Sequence, residues 1–352
     1  DLPLVLLLLM GLVGVAVSVD SALSARIYGE LLGGVALYYG IVNGLPAARL
    51  GRGVWFFLLL GAAMGLVGWL GMRYLEKFLP IPFMYEYMPR LEFPFLNSSG
   101  FTANLVAGAV APALPIAFAW AWTLSRRQRG LVLAFAVFFS SIVVLTQSRG
   151  AILGLLVAGA ILLLWRAPRL IWLAAAAALL GVAAVFWLGP ANVTEVLLVS
   201  DSTNTAASRF EVWSRALYIW QDFPFTGIGL GPFAQSVPLL YPLFLNDPAV
   251  PIPHAHNIYL QMGVDYGLPG LVAFIGLVTT TLCIAVSNVL RTRGARTGWL
   301  AIGLLAGYSV YLVHGLLDAV TTNSKVAVII WFLIGLSIVL SRAVDEGREL
   351  TA

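Results

Sequence analysis

The sequence predicts an all-α, polytopic membrane protein: a bundle of about ten spans with one large, partly helical extracytoplasmic loop. Composition is the first observation behind this. Of 352 residues, 60% are hydrophobic and only 10% charged, and the mean hydropathy is +0.93. That balance suits neither a soluble globule nor a disordered chain. Periodicity is the second: apolar runs recur that reach the roughly 20 helical residues needed to cross a hydrocarbon core. The lone cysteine, Cys283, lies inside such a run, which excludes an intramolecular disulfide and any cysteine-based metal site.

The expected spans are 2–19, 31–48, 53–72, 102–124, 130–147, 150–165, 170–189, 267–289, 298–317 and 326–341. The first lacks a basic leader and reads as a span, not as a cleaved signal. Basic residues orient the set. Twelve of 20, Arg49, Arg52, Arg126, Arg127, Arg129 and Arg166 among them, fall in short loops on one side. The other eight are spread over much longer loops, so the first side is expected to be cytoplasmic, with both termini. These arginines form no patch, and nucleic acid is not an expected partner.

The whole chain, 1–352, reads as a single integral membrane domain. Its outer side carries two large excursions, 73–101 and 190–256, and a loop as long as the second is usually functional. Within it, SRFEVWSRALYIW reads as a helix capped by Ser208, with Arg209, Trp213, Leu217 and Trp220 at helical spacing. The Gly- and Pro-rich QDFPFTGIGLGPF reads as irregular turns. Pro248, Pro251 and Pro253 lead back to the membrane. A short helix from His256 to about Tyr266 follows, ended by Gly267 and Pro269 before the eighth span.

Four groups of residues carry chemistry. Arg149 sits in a tight outer turn between two spans, flanked by Ser148 and Gly150. It reads either as an anchor snorkelling to head groups or as a bidentate phosphate clamp helped by the helix N-terminus behind it. Arg209 shares a helical face with Trp213 and Trp220, whereas Arg215 points elsewhere. Each arginine is either part of a solvated face or an anion contact. His256, followed by Asn257 at a helix start, suits a general base that takes a proton from a sugar hydroxyl. Asn257 would fix the backbone or orient a substrate hydroxyl. His254, two residues earlier in extended chain, is expected to point the other way. A His-x-His zinc site would need a third ligand, and the nearest carboxylates in sequence, Asp247 and Asp265, do not complete one. No metal is expected. His314 and Asp318, four apart, are expected on one face at the outer end of the ninth span, either functional or hydrogen-bonded to each other to pack the bundle.

Outside the cell there is no ATP, so a synthetic reaction there needs an already activated donor, such as a flipped lipid-diphosphate sugar. On the residues TQSRGA (Thr146 to Ala151), SRFEVWSRAL with FPFTGIGLGPF, and His256-Asn257 followed by nine residues, Gly267, two more and Gly270, the chain resembles the O-antigen ligase and polymerase superfamily. The resemblance covers about Phe101 to Asp318. It implies an inverting glycosyltransferase, without metal or cofactor, in the bacterial cytoplasmic (inner) membrane with its active site facing the periplasm or exterior. The donor would be a polyprenyl (undecaprenyl) diphosphate-linked glycan and the acceptor a glycan or lipid hydroxyl. By the same resemblance Arg149 and Arg209 contact the diphosphate, Arg215 does so more weakly, and His256 is the base. Members commonly have more spans than the ten counted here. Some relatives carry a bicarbonate-transport label, which makes a small-anion transporter the alternative. A transporter would place ionisable groups and broken helices near mid-membrane, whereas the ionisable residues here cluster toward the outer face.

Overall fold

The computed structural model describes residues 1–73, 87–88, 90–93, 100–189, 192–193, 206–246, 251–320 and 325–347. Most of the expected 73–101 excursion, and Asp247 and Pro248 in the longer one, lie outside these residues. Among the described residues there is no strand, only isolated bridge residues, of which Met72 and Phe101 pair with each other. The helices are α1 (Leu2–Val17), α2 (Ser21–Gly44), α3 (Leu50–Gly71), α4 (Ala103–Val110), α5 (Ala113–Ala121), α6 (Arg126–Thr146), α7 (Arg149–Arg166), α8 (Ile171–Leu188), α9 (Ala206–Asp222), α10 (Phe233–Leu240), α11 (Ile258–Arg291), α12 (Thr297–His314) and α13 (Val328–Asp345).

Nine of the ten expected spans each fall on one helix, and 102–124 falls on two, α4 and α5, parted at Ala111 and Pro112. Among the described residues seven segments are long and apolar enough to cross a membrane: α3 with its preceding turn, α4 with α5, α6, α7, α11, α12 and α13. The other three expectations fall on α1, α2 and α8. α1 is an apolar helix of 16 residues. α2 begins at Ser21, ten residues before the expected boundary, because the Asp20 carboxylate caps it by accepting from Leu23 N at 2.9 Å. The added turns carry Arg26 and Glu30.

α12 is the centre of the bundle. In its most apolar window 78% of the residues are buried, against 22% for α7 and 33% for α6. Gly150, Gly154 and Ala158 form a small-residue stripe at every fourth position of α7, which lets that helix lie against α12. A methyl at Gly154 would meet the Val310 carbonyl at 2.9 Å. At the far end of the same antiparallel pair, Trp165 and Trp299 meet edge-to-face at 4.6 Å. His314 and the start of α7 therefore share one end of the bundle.

α11 runs through the expected break. Gly267 sits at φ 67, ψ −177 inside it, so the short helix and the eighth span join at a kink. Only glycine occupies that backbone region comfortably, and a Cβ there would come within 2.6 Å of the Phe225 backbone. Gly267→Ala is expected to lower stability by about 1–3 kcal/mol or more. Thermal unfolding of the reconstituted protein checks this, and an unchanged midpoint would refute the strain argument.

The described part of the 190–256 loop packs onto α11 through its own small core. Val212, Ala216 and Ile219 of α9, Ile228, Phe233, Val237 and Ala255 bury together with Val264 of α11. The expected helix is α9. It is already helical at Ala206, so Ser208 lies inside it and is not its cap.

Candidate functional site

The site is assembled around the turn that ends α12. The helix stops at His314, and the carbonyls that follow are claimed by other elements. Gly315 O accepts from Ile258 N at 2.8 Å, and Leu316 O accepts from Asn257 Nδ2 at 3.1 Å. Leu317 O accepts from the Arg209 guanidinium at 2.8 Å. Gly150 packs against the same turn, where a methyl would stand 3.1 Å from the His314 ring and 3.4 Å from Leu317. The first turn of α7, with Arg149 at its head, thus rests on the end of α12.

α9 delivers three donors from one face. Arg209 reaches Leu317 O, Trp213 Nε1 reaches Ala255 O at 3.0 Å, and Trp220 Nε1 reaches Leu260 O at 3.3 Å. Arg215 leaves from another face. It pairs with Glu211 at 3.3 Å and donates to Pro242 O at 3.0 Å. Glu211 in turn accepts from Phe244 N and Leu245 N. The structure therefore gathers Arg209, His254, His256, Asn257 and Asp318, brings in Arg149 by way of Gly150, and leaves Arg215 bracing residues 242–245.

The Ala255 peptide is fixed at both ends. Its N–H donates to Gln261 Oε1 at 2.7 Å, and Gln261 Nε2 donates to the buried Asp265 carboxylate at 2.8 Å. Next to it His256 adopts φ 49. This left-handed backbone corrects the expectation that His254 and His256 point opposite ways, since the alternation of extended chain is broken between them. His256 N donates to His254 Nδ1 at 3.2 Å, the rings stand edge-to-face at 4.5 Å, and both face one carboxylate. Asp318 Oδ1 is 3.6 Å from His254 Nε2 and 3.7 Å from His256 Nδ1.

Asp318 corrects two further expectations. It is not on a helix face shared with His314, because α12 has already ended. Its backbone N–H, not its side chain, reaches His314, donating to the carbonyl at 3.1 Å. It also supplies the third metal-type ligand that sequence proximity had missed, with all three ligand atoms within 4.8 Å of one another. The His314 ring instead lies between Gly150 and Gly108.

Burial pushes the His254 imidazole down to about 4, with His256 and Arg209 acting in the same direction against Asp318. Burial works against the Asp318 carboxylate, yet the surrounding imidazoles hold it far below the usual carboxylate range. Because folding lowers the His254 value, the unfolded chain binds the extra proton first. Stability is then complete above about 6.5 and declines as pH falls toward about 4. Asp318 adds nothing in that window, since its own loss begins only below the unfolded aspartate value of 3.8. Thermal midpoints between pH 7 and pH 4.5 are expected to fall more steeply for the parent chain than for His254→Asn. Equal slopes would refute the assignment.

A cavity of about 630 Å³ opens beside the site, between α2, α3 and α4. Its lining includes the polar side chains of Arg26, Glu30, His254, Gln261, Asp265 and Asp318 and apolar residues such as Leu60, Met64 and Leu105. Sequence reasoning had passed over Gln261, Asp265, Arg26 and Glu30 as site residues. The legible signal was polar residues four apart, 261 with 265 and 26 with 30, in otherwise apolar helices.

No curated protein matches the chain. A family model described as O-Antigen ligase matches residues 134–275, which take in Arg149, α9, both loop histidines and the kink at Gly267. Over those residues the chain is similar to that family.

Proposed function

We propose that the chain is a membrane glycosyltransferase of the O-antigen ligase or polymerase type. It moves glycan from a polyprenyl diphosphate carrier to an acceptor hydroxyl, with inversion and without a metal. The observation that carries this reading is the Asp318 carboxylate standing 3.7 Å from His256 Nδ1. A carboxylate there favours the proton on Nδ1 and leaves Nε2 as the proton acceptor, the logic by which an orienting carboxylate activates a catalytic histidine.

The reaction then runs in one displacement. The acceptor oxygen attacks the anomeric carbon opposite the diphosphate, and its proton passes to His256 Nε2. The bond from the anomeric carbon to the phosphate oxygen breaks, its electron pair leaving with the diphosphate. Arg149 and Arg209 offset the charge that grows there, and Asp318 offsets the imidazolium. Arg215, already engaged by Glu211, is left a weaker share through the loop it braces.

Hydrogen bonding at His254 supports the metal-free assignment. Its Nδ1 accepts the His256 N–H, so the ring proton belongs on Nε2, the atom facing Asp318, and a protonated ring nitrogen does not ligate. Orientation follows from charge: the end opposite the site carries most of the arginines and is assigned to the cytoplasm. The site then faces the outside of the cytoplasmic membrane, where flipped lipid-diphosphate donors are exposed.

The test is release of polyprenyl diphosphate with glycan transfer in vesicles carrying the purified protein. Protein-dependent uptake of labelled bicarbonate without that release would replace this reading by anion transport. Arg149→Lys is expected to raise the donor KM about tenfold, the loss of one charge-assisted hydrogen bond where lysine lacks the bidentate fork. Unaltered donor binding would return Arg149 to the role of membrane anchor.

A further inference from the structure

Toward the end of the bundle opposite the site lies a second cavity, of about 750 Å³, lined by α5, α6, α7 and Trp299 of α12. It forms because α6 and α7, though joined by a tight turn, barely touch. Each packs on another helix instead, α6 on α5 and α7 on α12. Gly159 keeps the space open, since a methyl there would meet nothing within 4 Å. Along α7 the cavity extends from Leu155 to Arg166, eleven residues apart, or about 16 Å at the helical rise. The Ser140 hydroxyl in its wall is spent on its own helix, donating to Ala136 O at 2.8 Å. Apolar side chains make up most of the remaining wall, and Phe118, Trp122 and Leu163 among them are exposed toward the membrane.

Arg166 is the cation at the mouth of this groove. It is exposed and makes no hydrogen bond or ion pair among the described residues. Neighbouring sequence offers it no carboxylate, because the chain has no Asp or Glu between Glu92 and Glu195. Asp345, at the same end of the bundle, is already paired with Arg291. Arg129 is engaged elsewhere: it donates to Ala121 O and Leu124 O, and it braces Trp122 from 5.4 Å above the ring. Trp122 and Trp299 pack against each other at 5.9 Å, amphipathic rings of the kind that settle at head-group level.

An apolar slot about half as long as the roughly 30 Å of a hydrocarbon core is one leaflet deep. A partner's spanning helix would need the full depth, whereas an acyl chain needs only this much. We propose that the groove binds an anionic phospholipid of that leaflet, with an acyl chain between α6 and α7 and its phosphate on Arg166. The missing carboxylate sets the preference. A zwitterionic head group would bring an ammonium with nothing to receive it, while a net anionic one brings only the charge that Arg166 answers. This site is independent of the chemistry at residues 314–318.

The experiment uses the full chain in lipid nanodiscs and two photoreactive phospholipids with the same diazirine-bearing acyl chain. One has a phosphatidylglycerol head and the other a phosphatidylcholine head. Labelled peptides are mapped by mass spectrometry. The phosphatidylglycerol probe is expected to label segments 114–118 and 155–163 about fivefold more than the phosphatidylcholine probe, the preference one arginine gives near a head group. On α1, at the exposed Leu9 and Leu12, the two probes are expected to label equally, which measures ordinary lipid contact. Arg166→Gln is expected to erase the phosphatidylglycerol excess. Gly159→Trp, which fills open space and displaces no neighbour, is expected to lower labelling of the groove by both probes. Equal labelling of the groove by the two probes would overturn the proposal, as would an excess that survives Arg166→Gln. Groove labelling untouched by Gly159→Trp, or an excess equally large on α1, would also overturn it.

Discussion

His256→Ala is expected to fold and insert normally but to lose transfer by about 10²–10⁴-fold, the share a positioned general base contributes. The side chain packs no core: it is partly exposed, and its backbone is held by neighbours. Trp213 and Gln261 grip the adjacent Ala255 peptide, and Asn257 caps α11 by accepting from Tyr259 N and Leu260 N. Removing the imidazole therefore deletes a proton acceptor without loosening the loop. The strained φ at position 256 costs alanine no less than histidine, so a modest fall in melting temperature is compatible with the result. Donor binding is expected to be unchanged, because the phosphate contacts assigned to Arg149 and Arg209 are left in place. Transfer near the parental rate by a folded His256→Ala protein would remove this residue as the base.

Asp318→Asn is expected to lower kcat by roughly 10²-fold or more with little change in the donor KM. The substitution keeps volume, and an amide oxygen still accepts the Ala319 N–H that Asp318 Oδ1 holds at 2.7 Å. What disappears is the negative charge between two imidazoles. Without it the proton on His256 has no reason to prefer Nδ1, and the imidazolium formed during transfer has no counter-ion. The chain has only three histidines, so histidine-selective isotope labelling resolves each ring. Asp318→Asn is expected to shift the His254 and His256 signals together. Two unmoved signals with a reduced rate would mean that Asp318 acts on the substrate directly.

The helices were legible because a membrane imposes one long-period rule, an apolar run of fixed length, and the chain obeys it even where caps are unusual. The kink at Gly267 was legible for a local reason, since Gly267 and Pro269 mark a break whatever packs around them. The shared face of Arg209, Trp213 and Trp220 followed from helical spacing alone. What sequence could not reveal was the junction at residues 314–318. Asp318 joins His254 and His256 only because α12 stops at His314 and turns, and nothing in YLVHGLLDAV distinguishes that stop from one more helical turn. The opposed reading of the two histidines failed similarly, on a single left-handed residue where extended chain was assumed. Gln261 and Asp265 were visible as polar residues in an apolar helix, but their target, the Ala255 peptide, is defined only by folding.

The three donors of α9 end on the carbonyl oxygens of Leu317, Ala255 and Leu260, not on side chains. Every amino acid presents that oxygen, so the ties themselves do not depend on which side chains stand at 255, 260 and 317, although Ala255 is fixed separately by its place in the loop's core. For these three ties the selective burden falls on Arg209, Trp213 and Trp220.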